Sequence, residues 1–159
     1  MRNLFIFLLI EALIFPNYLF GLDLEQLELE EGFTISIFAK NLDSPRQMAE
    51  GENGTIFVGE RGGQIIALSD SDGNGQVDLK RVIAENLVLS TGVSIFDGDI
   101  YFSEVSKIWK IEDIENWLTI NPTNEYLPEK ILVTDKLPND TWHGWKWLQH
   151  DHLGHLYFN

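Results

Sequence analysis

Two short segments of this sequence carry residue types that could do chemistry. The first runs from Leu137 to Trp147, where His143 stands among three tryptophans and close to Lys146. A neutral imidazole is well suited to removing a proton near neutral pH, and aromatic side chains beside it suit a planar cofactor or a sugar ring. His143 is therefore a candidate general base. The alternative is a structural histidine hydrogen-bonded to a loop.

The second segment has oxygen-bearing side chains in the spacing of a calcium loop. They occupy relative positions 1, 3, 5 and 9, with a glycine at position 6, and are Asp70, Asp72, Asn74 and Asp78. In such a loop alternate side chains point inward, and glycine permits the sharp turn around a hard cation. Position 12 is Arg81, where an EF-hand has glutamate. A strand-to-strand calcium loop and an ion-free turn rich in Asx and Gly both remain open.

Three further histidines, His150, His152 and His155, stand near the end of the sequence. His150 and His152 share one strand face if the strand continues past them, as zinc ligands would. Asp151, the carboxylate among them, then points to the opposite face. The pattern favours a polar turn, with a zinc site as the alternative.

The composition is that of a soluble globular protein, with 44% hydrophobic and 23% charged residues. Acidic residues number 25 and basic residues 11, giving a net charge of −14. This charge repels phosphate groups, so we expect no nucleic-acid partner and no binding to an anionic membrane. Cysteine is absent, which excludes disulfides, thiol catalysis and cysteine metal sites within these residues.

The N-terminus has the pattern of a secretory signal peptide. Arg2 precedes an apolar run at residues 4–15, and the small residue Gly21 follows as a cleavage site. The run is short of the roughly 20 residues that span a bilayer. We therefore assign residues 1–21 to a signal peptide and 22–159 to an exported domain, periplasmic or extracellular, without a stable membrane span after cleavage. An uncleaved anchor and a buried helix are the alternatives.

Three segments of the chain share one pattern: a glycine turn, one spacer residue, and an apolar–aromatic–apolar strand. They begin at Gly54, Gly98 and Gly154, which are 44 and 56 residues apart. A period of about 40–50 residues with several short strands is typical of a β-propeller blade. We predict an all-β fold of the propeller type. The alternative is a coincidence of hairpins in a β-sandwich.

Other segments complete this prediction. Alternation over Phe33–Ile37 predicts a strand, and residues 55–68 and 99–111 predict two hairpins. Further strands are predicted at 129–134 and 145–148, and a short helix between Ile111 and Ile120. Because propellers close rings of about 4–8 blades, we expect residues 22–159 to form the first two to three blades of a longer protein, truncated at its C-terminus.

The sequence resembles the glucose/sorbosone dehydrogenase family from about residue 31 to the end. The resemblance is carried by Pro45-Arg46-Gln47-Met48-Ala49, by Gly54-Thr-Ile-Phe-Val-Gly-Glu-Arg61, by Asp70-Ser-Asp-Gly-Asn-Gly75, and by His143-Gly-Trp-Lys-Trp147 ahead of Gly154-His-Leu-Tyr-Phe-Asn159. Members of this family are soluble enzymes on six-bladed propellers that use pyrroloquinoline quinone (PQQ).

The resemblance implies oxidation of a sugar or sugar aldehyde, with an external electron acceptor as partner. His143 would be the general base that takes the hydroxyl proton, while hydride passes to the quinone. The residues that hold PQQ and its calcium are expected beyond position 159. Cofactor-binding residues within this chain therefore stay unassigned, and we expect the chain alone to be inactive.

Two other functions remain open on the sequence. One is a metal-dependent sugar-lactone hydrolase on a propeller. The other is a propeller that binds a carbohydrate or a protein without catalysis.

Overall fold

The computed structural model describes residues 24–159, so the signal peptide predicted for residues 1–21 lies outside the described part. The chain divides into two compact units, Met1–Ser36 and Ile37–Asn159. The described residues of the first unit contain one short 3-10 helix, Leu24–Gln26. The strands described below all belong to the second unit. Over residues 24–159, no helix is long and apolar enough to cross a membrane.

The second unit contains three antiparallel sheets, each formed by a continuous stretch of chain. The first consists of β1 (Pro45–Glu50), β2 (Ile56–Glu60), β3 (Gln64–Ser69) and β4 (Leu79–Ala84), side by side in chain order. The second repeats this order with β5 (Val93–Phe96), β6 (Asp99–Ser103), β7 (Ile108–Ile111) and β8 (Ile131–Thr134). The third is a hairpin of β9 (Leu148–His150) and β10 (Leu156–Phe158), and helix α1 (Ile114–Ile120) connects β7 to β8.

Both predicted hairpins are confirmed, as the pairs β2–β3 and β6–β7. The strand predicted over Phe33–Ile37 is wrong, because a strand needs partners for its backbone groups and no described strand pairs with this segment. The strand predicted from Trp145 starts instead at Leu148. The helix starts at Ile114, because Ile111 pairs with Ile100 in the second sheet.

The repeated strand motif has the same orientation in the first two sheets. Phe57 of β2 packs toward the second sheet, while Val58 packs on the opposite face. In β6, Phe102 packs back against Phe57 in the shared core, and Tyr101 packs forward against His150 of β9. In both sheets, the aromatic residue at the centre of the motif faces the next sheet and the residue after it faces the opposite side. Stacked propeller blades repeat in the same way.

A buried arginine lies in the core between the first two sheets. Arg81 of β4 is only 2% exposed, and its Nε donates to Asn124 Oδ1 at 3.0 Å. Its guanidinium lies 5.5 Å from the ring centre of Trp117 in α1. Burial lowers the pKa of Arg81 from its ordinary value. This side chain therefore connects the last strand of the first sheet to the helix of the second.

The first strands of the three sheets are joined through one glutamine side chain. Gln47 Oε1 accepts hydrogen bonds from the backbone N–H groups of Val93 at 3.2 Å and Leu148 at 2.9 Å. Gln47 Nε2 donates to the Leu148 carbonyl at 2.6 Å. Because β1, β5 and β9 belong to different sheets, the Gln47 amide forms hydrogen bonds to backbone groups that a neighbouring strand would form inside a sheet.

We predict that Gln47→Ala lowers the free energy of unfolding by about 2–4 kcal/mol, because it leaves backbone groups of two other strands without a partner. Urea unfolding measures the change. Gln149→Ala is the matched control, since the exposed Gln149 amide donates to the carbonyl of neighbouring His150. An equal loss in both variants would contradict the bridging role of Gln47.

Candidate functional site

A pocket of about 630 Å³ opens where the first strands of the three sheets begin. This volume lies within the range of about 300–1,000 Å³ that is usual for small-molecule sites. The pocket is lined by Arg46, Gln47, Thr91, His143, Trp145, Lys146, Trp147 and Asn159. A second cavity of about 250 Å³ shares Gln47 with it and is lined by β1, β5 and Gln149 of β9. The accessible space thus follows the inner strands of all three sheets.

His143 lies in the wall of this pocket, on the loop that precedes β9. Its side chain is exposed, and its ring centre lies 5.0 Å from that of Trp142 and 5.4 Å from that of Trp145. The backbone φ of His143 is 60°, in the left-handed region, which non-glycine residues adopt at a cost and often at functional sites. The loop therefore presents an accessible imidazole among aromatic rings.

Glycine and polar contacts fix the shape of this loop. A Cβ at Gly144 would collide with the carbonyl oxygen of Asp140. Thr91 Oγ1 donates to the carbonyl of Lys146 at 3.0 Å, which ties the loop to the segment before β5. The N–H of Trp147 donates to Asn159 Oδ1 at 3.0 Å. The loop is thus held by residues both before and after it in the chain.

The basic side chains around the pocket differ in whether they already contact other groups of the protein. The Lys146 side chain is buried, and its Nζ donates to the carbonyl of Gly144 at 2.5 Å. The Arg61 guanidinium lies 5.2 Å from the ring centre of Trp145. Arg46 is exposed at the start of β1 and lines the pocket directly. Arg46 is therefore the cation that is free to reach a ligand.

Sequence reasoning found His143 and its aromatic neighbours but missed most of the polar wall. Gln47, Thr91 and Asn159 have no spacing relative to His143 that predicts a shared site. They meet it because each lies at the same end of a first strand or at the end of the third repeat. The repeated strand motif could have indicated these residues, because equivalent strands of a repeat are expected to have their ends close together.

The predicted calcium loop connects β3 to β4, as a strand-to-strand loop requires. Oxygens of Asp70, Asp72 and Asp78 lie within 4.8 Å of one another. Asp70 accepts backbone N–H groups of the loop at 2.8 to 3.2 Å, and the hydrogen bond from the Ser71 hydroxyl, at 2.6 Å, lowers the pKa of Asp78. Asn74 donates from Nδ2 to Asp72 at 2.9 Å. These hydrogen bonds suit an ion-free turn as well, so calcium binding stays a prediction.

We predict that the chain binds Ca²⁺ at this loop with a Kd on the order of 0.1–1 mM, the range of extracellular calcium modules. The double change Asp70→Asn with Asp72→Asn removes two anionic ligands and is expected to abolish binding in calorimetric titration. Glu52→Gln, an exposed acid outside the loop, is the control. Equal Ca²⁺ binding by the double variant and the control would favour the ion-free turn.

The histidines near the end of the chain do not form a zinc site. His150 is buried in β9, whereas His152 lies in the following turn and the His155 ring pairs with Asp151 at 2.9 Å. Within residues 24–159, the one group of three acids or histidines that could hold a metal is Asp70, Asp72 and Asp78. The interpretation as a polar turn is therefore confirmed for His152 and His155, while His150 is a core residue.

His150 is packed between the second and third sheets in its neutral form. The backbone N–H of His150 donates to Ser94 Oγ at 3.2 Å, and the same hydroxyl is 2.9 Å from His150 Nδ1. The rings of Phe96 and Tyr101 lie 5.2 and 4.5 Å away. Burial lowers the pKa of His150, and the neighbouring charge of Asp151 partly opposes this shift.

We predict that the free energy of unfolding is constant above about pH 7 and falls below about pH 6.5, the ordinary pKa of histidine. The unfolded chain then binds a proton that the buried imidazole of His150 does not, so acid favours unfolding by up to about 1.4 kcal/mol per pH unit. Chemical unfolding between pH 8 and pH 5 measures this slope. Asp151 stays ionised in this window, because its hydrogen bond from His155 lowers its pKa to about 2.

His150→Phe is expected to remove the slope, because an aromatic ring is kept without a titratable group. His152→Ala, in the exposed turn, is expected to keep it. A slope that survives in His150→Phe would assign the pH dependence to other groups.

Comparison with known proteins identifies the family of the chain. The family model described as Domain of unknown function (DUF7133) matches residues 21–116, more than half of the sequence. This chain belongs to the DUF7133 family. No curated protein matches the sequence significantly.

Solved structures similar to this DUF7133 chain include a pyranose dehydrogenase domain and carbohydrate-active enzymes. The holo form of the PQQ domain of pyranose dehydrogenase from Coprinopsis cinerea aligns with a TM-score of 0.56 at 17% identity, over 71% of this chain and 26% of that one. The iodide structure of a Trichoderma reesei carbohydrate-active enzyme of family AA12 aligns with a TM-score of 0.55 at 19% identity, over 74% and 29% of the two chains. The calcium structure of the Trichoderma reesei family AA12 enzyme aligns with a TM-score of 0.53 at 20% identity, over 70% of this chain and 27% of that one.

These alignments show the fold. The DUF7133 chain is nearly all antiparallel sheet, and its blades match those of PQQ propeller domains, so the predicted all-β propeller fold is confirmed. The chain spans a little over a quarter of the length of the structures it matches.

Proposed function

We propose that this chain forms the first two to three blades of an exported propeller oxidoreductase that acts on a sugar or sugar aldehyde. In this proposal the complete ring has six blades and uses PQQ, which supplies the hydride acceptor when bound. Electrons then pass to an external acceptor. Among sugar oxidoreductases, the glucose/sorbosone dehydrogenases are the group whose motifs the sequence resembles.

The observation that carries the proposal is the position of His143. An accessible imidazole lies in a pocket of small-molecule size at the convergence of three first strands, with Trp145 and Trp147 in the same wall. In the proposed reaction, His143 removes the hydroxyl proton of the bound sugar, or of a hydrated aldehyde, through a ring nitrogen. The tryptophan faces orient the sugar ring and exclude water from one side of it.

The donor set of the pocket suits a planar, anionic cofactor. Aromatic faces offer stacking, the buried Lys146 brings positive charge, and no side-chain carboxylate is among the residues that line the pocket. Among the described residues, the one group of acids or histidines that could hold a metal is Asp70, Asp72 and Asp78, and none of these lines the pocket. We therefore assign the remaining ligands of PQQ and of its calcium to blades outside this chain.

The test is His143→Ala in the protein that contains this chain together with the rest of its propeller. We expect kcat for sugar oxidation to fall by about 10²–10⁴-fold, the usual contribution of a general base, while the absorbance of bound PQQ is unchanged. His152→Ala, in an exposed turn, is the matched control.

Unchanged turnover with PQQ bound would contradict the role of His143. If sugar fails to reduce PQQ in the unsubstituted protein while a lactone is opened in a metal-dependent reaction, the hydrolase alternative is correct instead. Sugar binding without either reaction would favour a non-catalytic propeller.

A further inference from the structure

We propose that Arg46 makes this pocket selective for sugars that carry a carboxylate, such as uronic acids. The inference rests on the proposed function and names the substrate class for the same pocket. It is carried by an uncompensated guanidinium that faces the pocket beside two aromatic walls.

The first step is that Arg46 is exposed to the pocket and has no carboxylate partner among the described residues. Its side chain is exposed and lines the pocket, and no carboxylate of the described residues lies within 4.0 Å of its guanidinium. By contrast, Lys80 of β4, Lys107 just before β7 and Lys110 of β7 have carboxylate partners at 2.7 to 4.0 Å. Arg46 is therefore a pocket-lining cation that no carboxylate of the described residues neutralises, in a chain with 25 acidic and 11 basic residues.

The second step is the charge of the whole wall. The residues that line the pocket include Arg46 and Lys146 but no aspartate or glutamate. Lys146 is buried and bonded to the carbonyl of Gly144, so it adds positive potential without reaching far into the pocket. Arg61, whose guanidinium lies 5.2 Å from the ring centre of Trp145, adds a third positive charge near the pocket. The pocket is therefore a positive region on a protein whose net charge is −14.

The third step is the position of Arg46 within β1. The next residue, Gln47, is fixed by hydrogen bonds to the backbone of β5 and β9. The backbone that carries Arg46 is thus held at the convergence of the three first strands. A guanidinium carried by this backbone offers two parallel N–H donors that match a carboxylate, whereas a neutral hydroxymethyl group cannot use both donors and the charge.

The aromatic wall explains why the anion is a sugar acid and not a small free anion. Trp145 is 38% exposed and Trp147 is 50% exposed, and both line the pocket. Indole faces cover the apolar face of a pyranose ring, and their N–H groups add a polar contact. A pyranose stacked on this wall, with its carboxylate on Arg46, keeps its ring hydroxyls available to His143.

Binding of D-galacturonate and D-galactose to this chain tests the inference, because the two sugars differ only at C6. Tryptophan fluorescence reports binding at the pocket. We expect galacturonate to bind about tenfold or more tightly than galactose, the range of a charge-assisted hydrogen-bond pair, and this preference to shrink as salt rises. Arg46→Gln is expected to equalise the two affinities. Lys136→Gln, which removes an exposed cation outside the pocket, is the matched control and is expected to keep the preference.

Equal binding of the two sugars by the unsubstituted chain would overturn the inference, and so would an equal loss in Arg46→Gln and Lys136→Gln. In the complete protein, a loss of PQQ binding in Arg46→Gln without a change in the galacturonate-to-galactose ratio of kcat/KM would assign Arg46 to the cofactor and also overturn it. Selective galacturonate binding without reduction of PQQ would support the inference while contradicting the proposed oxidoreductase. Oxidation of galactose in preference to galacturonate would support the proposed oxidoreductase and overturn the inference about Arg46.

Discussion

Backbone groups at the inner edges of three separate sheets must find partners, and this requirement shapes the rest of the structure. Inside one sheet, the next strand satisfies them. Here β1, β5 and β9 belong to different sheets, so side chains replace the missing strand. Gln47 pairs with Val93 and Leu148, and Ser94 pairs with the backbone of His150. A buried backbone group without a partner costs about 1–3 kcal/mol, so these bridges determine how closely the sheets approach.

The same bridges build the pocket. Arg46 precedes the bridging glutamine, Thr91 lies just before β5, and Lys146 lies just before β9. Stability and site geometry therefore depend on the same few residues. Glycine is needed at this junction, because a Cβ at Gly92 would lie 2.6 Å from the carbonyl oxygen of Lys146. The positive wall forms at this junction, although most of the surface charge of the protein is negative.

Two histidines show how position decides the role of one residue type. His150 occupies a strand position that faces the preceding sheet, where burial keeps its ring neutral beside Ser94. His143 occupies a loop position with a left-handed backbone, where its ring stays exposed between two indoles. The first imidazole holds two blades together. The second is available to a ligand.

The sequence by itself determined the local elements and the repeat. Its glycine turns and apolar–aromatic–apolar strands predicted the hairpins β2–β3 and β6–β7, because turn chemistry and strand periodicity act over a few residues. Tertiary structure decided what such patterns do not encode. Phe33–Ile37 has strand periodicity but pairs with no strand within residues 24–159, and Gln47 meets Leu148 across 101 residues of sequence. The residues of the pocket wall could not be predicted from the sequence pattern either. The packing of one sheet on the next is what brings Arg46, Thr91 and Lys146 around His143.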